Sequence, residues 1–227
     1  MKRTEINKYI AEADAFFAAN GFMLPPYAHW TAEDWKKVGS EADELRGQHL
    51  GWDVTDFGGG KFPTLGLTLF TIRNGFPPGS GKQDKIYAEK IMYVRENQVT
   101  PFHYHAIKTE DIINRGGKGT GKLAVQLHNL KDGGGLADTE VTVSCDGVRR
   151  KVPAGGIVYL GPGESITLTP FLYHAFWAVD GDGIIGEVSS VNDDATDNFF
   201  FDPIPRYPSV DEDDAPFRLL CTEYPAA

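Results

Sequence analysis

Cysteine is scarce in this sequence. Only Cys145 and Cys221 occur among its 227 residues, and neither belongs to a Cys-x-x-Cys pair. Two cysteines cannot form a disulfide framework, and the missing paired motif removes the usual signal for a zinc ribbon or a dithiol redox centre.

Long apolar runs are lacking as well. None approaches the roughly 20 residues that a helix needs to cross a bilayer, so a membrane is not an expected partner. The opening MKRTEINKYIAEADAFF also lacks the apolar core of a secretory signal peptide. We therefore expect a cytoplasmic protein.

Positive charge is in short supply. The chain has 22 Lys and Arg residues against 32 Asp and Glu residues, which gives a formal net charge of −10 at pH 7. Nucleic acids and anionic membranes repel such a surface, so neither is expected to bind. The hydrophobic content of 41% is ordinary for a globular domain.

The first 46 residues carry a helical pattern. Thr4 is placed to cap a first helix and Gly21 to end it. A second helix is predicted from about Thr31, where Thr31 and Asp34 form a capping box. The apolar residues at helical spacing are Ile6, Ile10, Ala13 and Phe17 in the first helix, and Trp35, Val38, Ala42 and Leu45 in the second.

From Gly47 onward the pattern changes to short β-rich runs separated by turn sequences. The runs are 64–72, 88–95, 122–127, 140–145, 156–159, 165–169 and 184–188. The turns are Asn74-Gly75, Pro77-Pro78-Gly79, Arg115-Gly116-Gly117, Asp132-Gly133-Gly134, Asp146-Gly147 and Pro162-Gly163. Residues 47–227 are therefore predicted to form one antiparallel β domain, a barrel or sandwich, with residues 1–46 as a helical extension and 211–216 as surface coil.

The most informative segment, residues 100–110, reads TPFHYHAIKTE. Side chains alternate faces along a strand, so His103 and His105 point the same way and can share one metal ion. Glu110 lies past a predicted bend and could reach the same metal ion. Lys108, two residues before Glu110, would face the same side as Glu110 if the chain is extended there. A His-x-His pair alone is more often two ordinary histidines than a metal site.

The surroundings strengthen the metal interpretation. The pattern His-x-His-x4-Glu-x6-Gly is complete as His103, His105, Glu110 and Gly117, and it resembles the first motif of the cupin superfamily. The segment 155–174 resembles the second motif, whose histidine would be His174. Two departures are Asn97 in place of the usual opening Gly, and Pro170-x-x-x-His174 in place of Pro-x-Gly-x-x-His. His128 is a weaker ligand candidate.

The cupin resemblance implies a mainly β fold, the double-stranded β-helix or jelly-roll barrel, and His174 as a fourth ligand. Three imidazoles and one carboxylate suit one divalent metal per chain: manganese, iron, cobalt, nickel or zinc. Such a set leaves coordination positions open, as a catalytic metal requires.

A narrower resemblance covers nearly the whole chain. The start MKRTEIN, the ligand block, the segment EKIMYVRE at 89–96 and the segment GEVSSVNDD at 186–194 are similar to the bacterial D-lyxose isomerases. This resemblance implies interconversion of D-lyxose and D-xylulose, and of D-mannose and D-fructose, through a metal-stabilised enediol. It also implies manganese as the cofactor and a homodimeric enzyme.

An aldose–ketose isomerase needs groups that move a proton between C1 and C2. Glu187 is the first candidate for the base, with a solvated strand carboxylate as the alternative. Lys90 interrupts an apolar strand and Lys108 follows the ligand pair, so either could bind a sugar oxygen or simply be solvated. Candidates for substrate contact are Trp52, Phe171, Asp194 and Arg206; Phe57 and Trp177 are further aromatics that could line a sugar pocket or belong to the core.

Three other functions remain open. A cupin dioxygenase would use the same ligands with iron and oxygen on a small organic substrate. A non-catalytic sugar-binding or storage cupin would usually have lost ligands that this chain keeps. A sugar-phosphate isomerase would need a phosphate clamp, and no P-loop sequence is present.

Overall fold

The computed structural model describes residues 1–77, 80–81 and 85–227, so the predicted turn at Pro78 and Gly79 lies outside the described residues. Its helices are α1 (Arg3–Ala19), α2 (Ala32–Trp35) and α3 (Asp43–Gly47), with 3₁₀ turns at Pro26–His29 and Ser40–Ala42. None of the helices in these described ranges is both long enough and apolar enough to span a bilayer.

The first helix forms as predicted along its buried face. Ile6, Ile10, Ala13 and Phe17 are all fully buried. They pack with Trp52 and other residues of the large sheet in one apolar cluster, and burial of each large side chain contributes about 1.5–3 kcal/mol. Thr4 is not the cap, because the N-cap is Lys2 and the Thr4 hydroxyl donates to Asp213 instead.

The predicted second helix is wrong beyond its first turn. The capping box between Thr31 and Asp34 forms, but α2 ends at Trp35. Gly39 has φ −92° and ψ −144°, a conformation that no helix contains. The Arg46 guanidinium binds the carbonyls of Val38 at 2.9 Å and Gly39 at 2.8 Å, which stabilises this break.

Two antiparallel sheets make up the β domain, as the mainly β prediction required. The strands are β1 (Gly51–Thr55), β2 (Leu67–Asn74), β3 (Tyr87–Val94), β4 (Thr100–Tyr104), β5 (Glu110–Asn114), β6 (Lys122–Asn129), β7 (Val141–Cys145), β8 (Val148–Val152), β9 (Ile157–Leu160), β10 (Ser165–Leu168), β11 (Leu172–Val179), β12 (Gly183–Ser190) and β13 (Phe199–Phe200). Their order is β1-β2-β3-β12-β5-β10-β7-β8 in the large sheet and β13-β4-β11-β6-β9 in the small one.

The main core lies between the two sheets. The large sheet contributes Met92, Ile112 and Ile185, and the small sheet contributes Val125 and Phe176, all nearly or fully buried. Toward one end of this core, apolar residues give way to histidine, lysine and carboxylate side chains carried by both sheets. The fold therefore closes a polar cavity between its two layers.

The two chain ends meet on the outside of the β domain. The acidic tail is coil with mostly exposed side chains, as predicted. It nonetheless contacts α1, because the Arg3 guanidinium binds Glu212 of the tail at 2.7 Å, and Glu223 beyond the tail at 2.5 Å. The division at residue 46 stays a prediction; α3 runs across it.

Candidate metal centre and catalytic cavity

Four predicted metal ligands come together in the cavity. One candidate ligand atom from each of His103, His105, Glu110 and His174 lies within 4.8 Å of all the others. All four side chains are buried, with at most 7% of their surface exposed. His103 lies on β4 and His174 on the adjacent strand β11, His105 directly follows β4, and Glu110 begins β5 in the opposite sheet.

The pairing of β4 with β11 orients two of the histidines. His103 and His174 are register partners. Each has its Nδ1 close to the carbonyl oxygen two residues earlier, Pro101 at 2.8 Å and Leu172 at 3.0 Å. A carbonyl only accepts, so each Nδ1 carries the hydrogen and each Nε2 presents a lone pair, as in metal-bound histidines.

The third histidine is oriented from a different part of the chain. His105 donates Nδ1–H to the backbone carbonyl of Asp197, in the loop after β12. The Asp197 carboxylate then accepts the backbone N–H groups of Ala106 at 2.6 Å, Ile107 at 3.1 Å and Lys108 at 2.9 Å. Asp197 thus holds the bend that separates His105 from the next ligand, and sequence reasoning missed it.

The residues present fit a divalent cation. The buried atoms His105 Nε2, Glu110 Oε1 and His174 Nε2 have no hydrogen-bond partner among the described residues. His174 Nε2 and Glu110 Oε1 lie only 3.0 Å apart, but with the hydrogen on Nδ1 neither atom can donate to the other. Converging buried lone pairs of this kind are stabilised by a cation between them.

The electrostatic surroundings keep these ligands in the protonation states that metal binding requires. Burial, reinforced by the neighbouring imidazoles, lowers the pKa of His103 well below its usual range. Burial and the Lys108 ammonium lower the pKa of His105 to about 4. Burial alone would raise the pKa of Glu110, but Lys108 and the histidines hold that pKa well below its usual range. At neutral pH two neutral imidazoles and a carboxylate are therefore ready to bind.

A buried network of ion pairs extends from the ligand Glu110. The Lys108 ammonium lies 2.7 Å from Glu110 and 2.9 Å from Glu187, so it joins the ligand set to the predicted base. Lys90, the register partner of Glu187 on β3, lies 3.6 Å from the same carboxylate. Asn192, also missed from the sequence, accepts from Lys90 at 2.8 Å and Lys108 at 3.2 Å.

The far end of the network contains the other two predicted polar contacts. Asp194 lies 3.2 Å from Lys90 and 3.2 Å from Arg206. Arg206 also binds Asp53 at 2.6 Å. Burial opposes the charged form of Asp194, but Lys90 and Arg206 outweigh it and lower the pKa of that carboxyl. Five predicted polar residues therefore share one buried network with the ligand Glu110.

The metal ligands and the ion-pair network line one small cavity between the two sheets. The predicted residues along its wall are His103, His105, Glu110, Glu187, Lys90, Lys108, Asp194, Arg206 and Phe57, and Thr100 and Asn198 are polar additions that the sequence did not suggest. Asn192, Asp194, Asp197 and Asn198 all fall in the run VNDDATDN, whose density of amides and acids directly after a strand was an available signal.

Two predicted substrate contacts lie elsewhere. Trp52 is 2% exposed, in the core beneath α1, and its indole donates to the Ala28 carbonyl at 2.8 Å. Phe171 is 51% exposed on the outer surface. Neither residue lines the cavity. His128, the weaker ligand candidate, is half-buried and lies near the Ala137 carbonyl, outside the ligand cluster.

The fold and the site together define a cupin-type β-barrel with a buried cluster that fits a divalent metal. Two L-ribose isomerases share this fold. The enzyme of Cellulomonas parahominis is 16% identical with a TM-score of 0.56, covering 93% of this chain and 98% of that one. The enzyme of Acinetobacter sp. DL28 is 15% identical with a TM-score of 0.57, covering 89% and 93%.

Sequence comparison is more specific. The family model for D-lyxose isomerase matches residues 1–224. D-lyxose/D-mannose isomerases of Serratia proteamaculans and Escherichia coli O157:H7 are 49% and 48% identical to this chain, in each case over 99% of it and 98% of the relative. The chain belongs to the D-lyxose isomerase family and is a sugar isomerase.

Proposed function

We propose that this enzyme interconverts D-lyxose with D-xylulose and D-mannose with D-fructose, as unphosphorylated sugars. The names of its relatives support the choice of sugars. The observation that supports the chemistry most directly is that the Lys108 ammonium contacts both Glu187 and the ligand Glu110 inside the same cavity. A base and a metal cluster at this separation can act on neighbouring carbons of one small molecule.

In this proposal the protein residues move the protons. The three histidines and Glu110 would hold a divalent ion, which would supply Lewis-acid polarisation of the sugar carbonyl. Glu187 takes the hydrogen from C2 of the open-chain aldose and returns it to C1, while the hydroxyl proton passes from O2 to O1. Lys108 and Lys90, which both lie near Glu187 Oε1, stabilise the negative charge that develops on the enediol oxygens.

Manganese is the proposed metal. His103, His105, His174 and Glu110 would hold the ion, and three imidazole nitrogens with one carboxylate oxygen form a donor set that manganese accepts. Iron, cobalt, nickel and zinc accept similar donors, so reconstitution with each metal has to decide between them.

We also propose that the enzyme is a cytoplasmic homodimer. Exposed aromatic rings at the edge of the small sheet support the dimer. Phe199 on β13 is 40% exposed, and Phe201, directly after it, is 47% exposed. Phe199 stacks on Tyr104 with ring centroids 4.9 Å apart. A second copy is the proposed occupant of this edge. Phe201→Glu should then shift the molar mass in light scattering from dimer to monomer; cell fractionation tests the location.

The central experiment strips the protein with a chelator, restores one metal at a time and follows D-lyxose, D-mannose and D-xylulose by NMR. Aldose–ketose exchange with manganese is the expected result, and His103→Ala should abolish metal binding. Absence of exchange with every first-row metal would refute the isomerase proposal. Oxygen uptake with iron would support a dioxygenase instead, and sugar binding without exchange would support a binding protein.

A further inference from the structure

The cavity wall contains three buried polar atoms, apart from the metal ligands, that make no hydrogen bond within the described ranges. They are Thr100 Oγ1, Asn198 Oδ1 and Arg206 Nη1. A buried polar atom without a partner destabilises the folded state. Native proteins keep few such atoms, and those they keep call for an explanation.

Thr100 faces the cavity because β4 contains a bulge. His103 pairs with His174, but Thr100 pairs with Phe176, so three residue steps on β4 match two on β11. The extra residue lets Thr100 and His103 face the same side despite their odd spacing. Pro101 lies inside the bulge, where a missing backbone N–H costs no ladder hydrogen bond.

The guanidinium of Arg206 is fixed by its neighbours. Its Nη2 is held by Asp53 at 2.6 Å and Asp194 at 3.2 Å, which orients the guanidinium and leaves Nη1 without a partner. Asn198 directly follows Asp197, whose carboxylate binds the bend after His105. The Arg206 side chain and the backbone that carries Asn198 are therefore positioned before any ligand arrives.

The chemistry of the three atoms matches neutral hydroxyl groups. Arg206 Nη1 only donates, Asn198 Oδ1 only accepts and the Thr100 hydroxyl does both, as sugar hydroxyls also do. A phosphate is a poor match, because Arg206 is already paired with two carboxylates that would repel a dianion.

Resting on the function proposed above, we propose that Thr100, Asn198 and Arg206 form the subsite that binds sugar hydroxyl groups remote from C1 and C2. This subsite selects unphosphorylated sugars by hydrogen bonding alone. Thr100 and Asn198 are then specificity residues for the isomerase, and their polar atoms lower the stability of the ligand-free fold.

The test replaces each polar group by an apolar group of similar shape, Thr100→Val and Asn198→Leu, in the manganese-loaded enzyme. Each change should raise KM for D-lyxose roughly three- to tenfold, the effect of losing one neutral hydrogen bond, with kcat within about twofold. Melting temperature should stay level or rise, since a buried atom without a partner is removed. Thr100→Ser, which keeps the hydroxyl, should restore KM.

Thr167→Val is the matched control, because the Thr167 hydroxyl on β10 has a partner, Asp111 at 2.6 Å. It should lower the melting temperature and leave KM unchanged. An unchanged KM in both Thr100→Val and Asn198→Leu would overturn the subsite. So would a KM increase accompanied by loss of manganese affinity, because the two residues would then act through the metal ligands.

Binding of the alditol made by reducing D-lyxose, measured by calorimetry, separates this subsite from the proposed reaction. The alditol cannot isomerise, so weaker binding to Thr100→Val and Asn198→Leu supports the subsite even if the wild-type enzyme converts no sugar. Wild-type affinity in both variants would refute the subsite, whether or not the enzyme is an isomerase.

Discussion

Asp197 and Lys108 are joined by a hydrogen bond from the Lys108 backbone N–H to the Asp197 carboxylate at 2.9 Å. The Lys108 ammonium meanwhile lies 2.7 Å from the ligand Glu110. The loop after β12 thereby sets the path of the chain between His105 and Glu110. The position of the metal ligands therefore depends on the loop that carries Asp197.

Asp197→Asn should weaken metal binding about 10- to 100-fold, the usual effect of losing a residue that orients metal ligands. An amide keeps one acceptor oxygen but turns an NH₂ group toward backbone N–H donors, so the bend after His105 shifts. Chelator competition gives the affinity, and the visible spectrum of the cobalt form reports the geometry.

The control for this change is Asp193→Asn. Asp193 is an exposed aspartate of the same loop that accepts from Ala195 and Thr196 and does not contact the ligands. It should leave metal affinity and the cobalt spectrum as in wild type. If both variants lose metal equally, the loop as a whole matters and Asp197 has no special position.

Lys108→Met should destabilise the metal-free protein by about 3–5 kcal/mol, the usual effect of removing one partner from a buried ion pair. Two buried carboxylates, Glu110 and Glu187, would lose their shared cation. Bound manganese should recover part of this loss, since it neutralises Glu110. Urea unfolding with and without metal measures both effects.

Lys37→Met is the matched surface control. Lys37 is 70% exposed and pairs with Asp34 at 3.0 Å, so its loss should change the free energy of unfolding by less than about 1 kcal/mol. Equal effects of the two changes would mean that the buried Lys108 pairs add no more stability than one surface pair.

The sequence predicted strand positions better than it predicted the cavity wall. Seven β-rich runs became strands, because turn sequences and β-branched residues act locally. β1 was missed although Trp52 and Val54 alternate with Asp53 and Thr55, and both faces of this strand are buried. The long second helix already ends at Trp35, and the chain is non-helical at Gly39, where the Arg46 guanidinium binds the Gly39 carbonyl.

Some residues of the site could likewise be predicted from the sequence, and others could not. His103, His105 and Glu110 are close in sequence and follow a motif, so their proximity could be predicted. Asp197 and Thr100 could not be found by pattern, because one acts through backbone N–H groups and the other depends on a bulge. Trp52 shows the converse: it was a candidate for substrate contact on residue type alone, and it packs in the core under a helix.

The stability of the metal-free protein should fall as the pH is lowered from about 6.5 to about 4. Burial lowers the pKa of His105 to about 4, against about 6.5 in the unfolded chain. The unfolded state binds more protons in this window, so acid favours it, by up to roughly 3 kcal/mol. His105→Gln should flatten the pH dependence of unfolding.

Glu187→Gln should reduce kcat by about 10²- to 10⁴-fold, the usual contribution of a general base. The amide keeps the shape of the side chain but cannot take the C2 hydrogen. Metal affinity should change little, because the ligand Glu110 keeps its own contact with Lys108 at 2.7 Å. NMR in deuterated water measures the step directly, as exchange at C2 of D-lyxose. Glu89→Gln is the control: Glu89 lies next to Lys90 on β3 but pairs with Arg73, so exchange should continue. Exchange at the wild-type rate in Glu187→Gln would show that another group, such as Lys90 or Lys108, takes the proton.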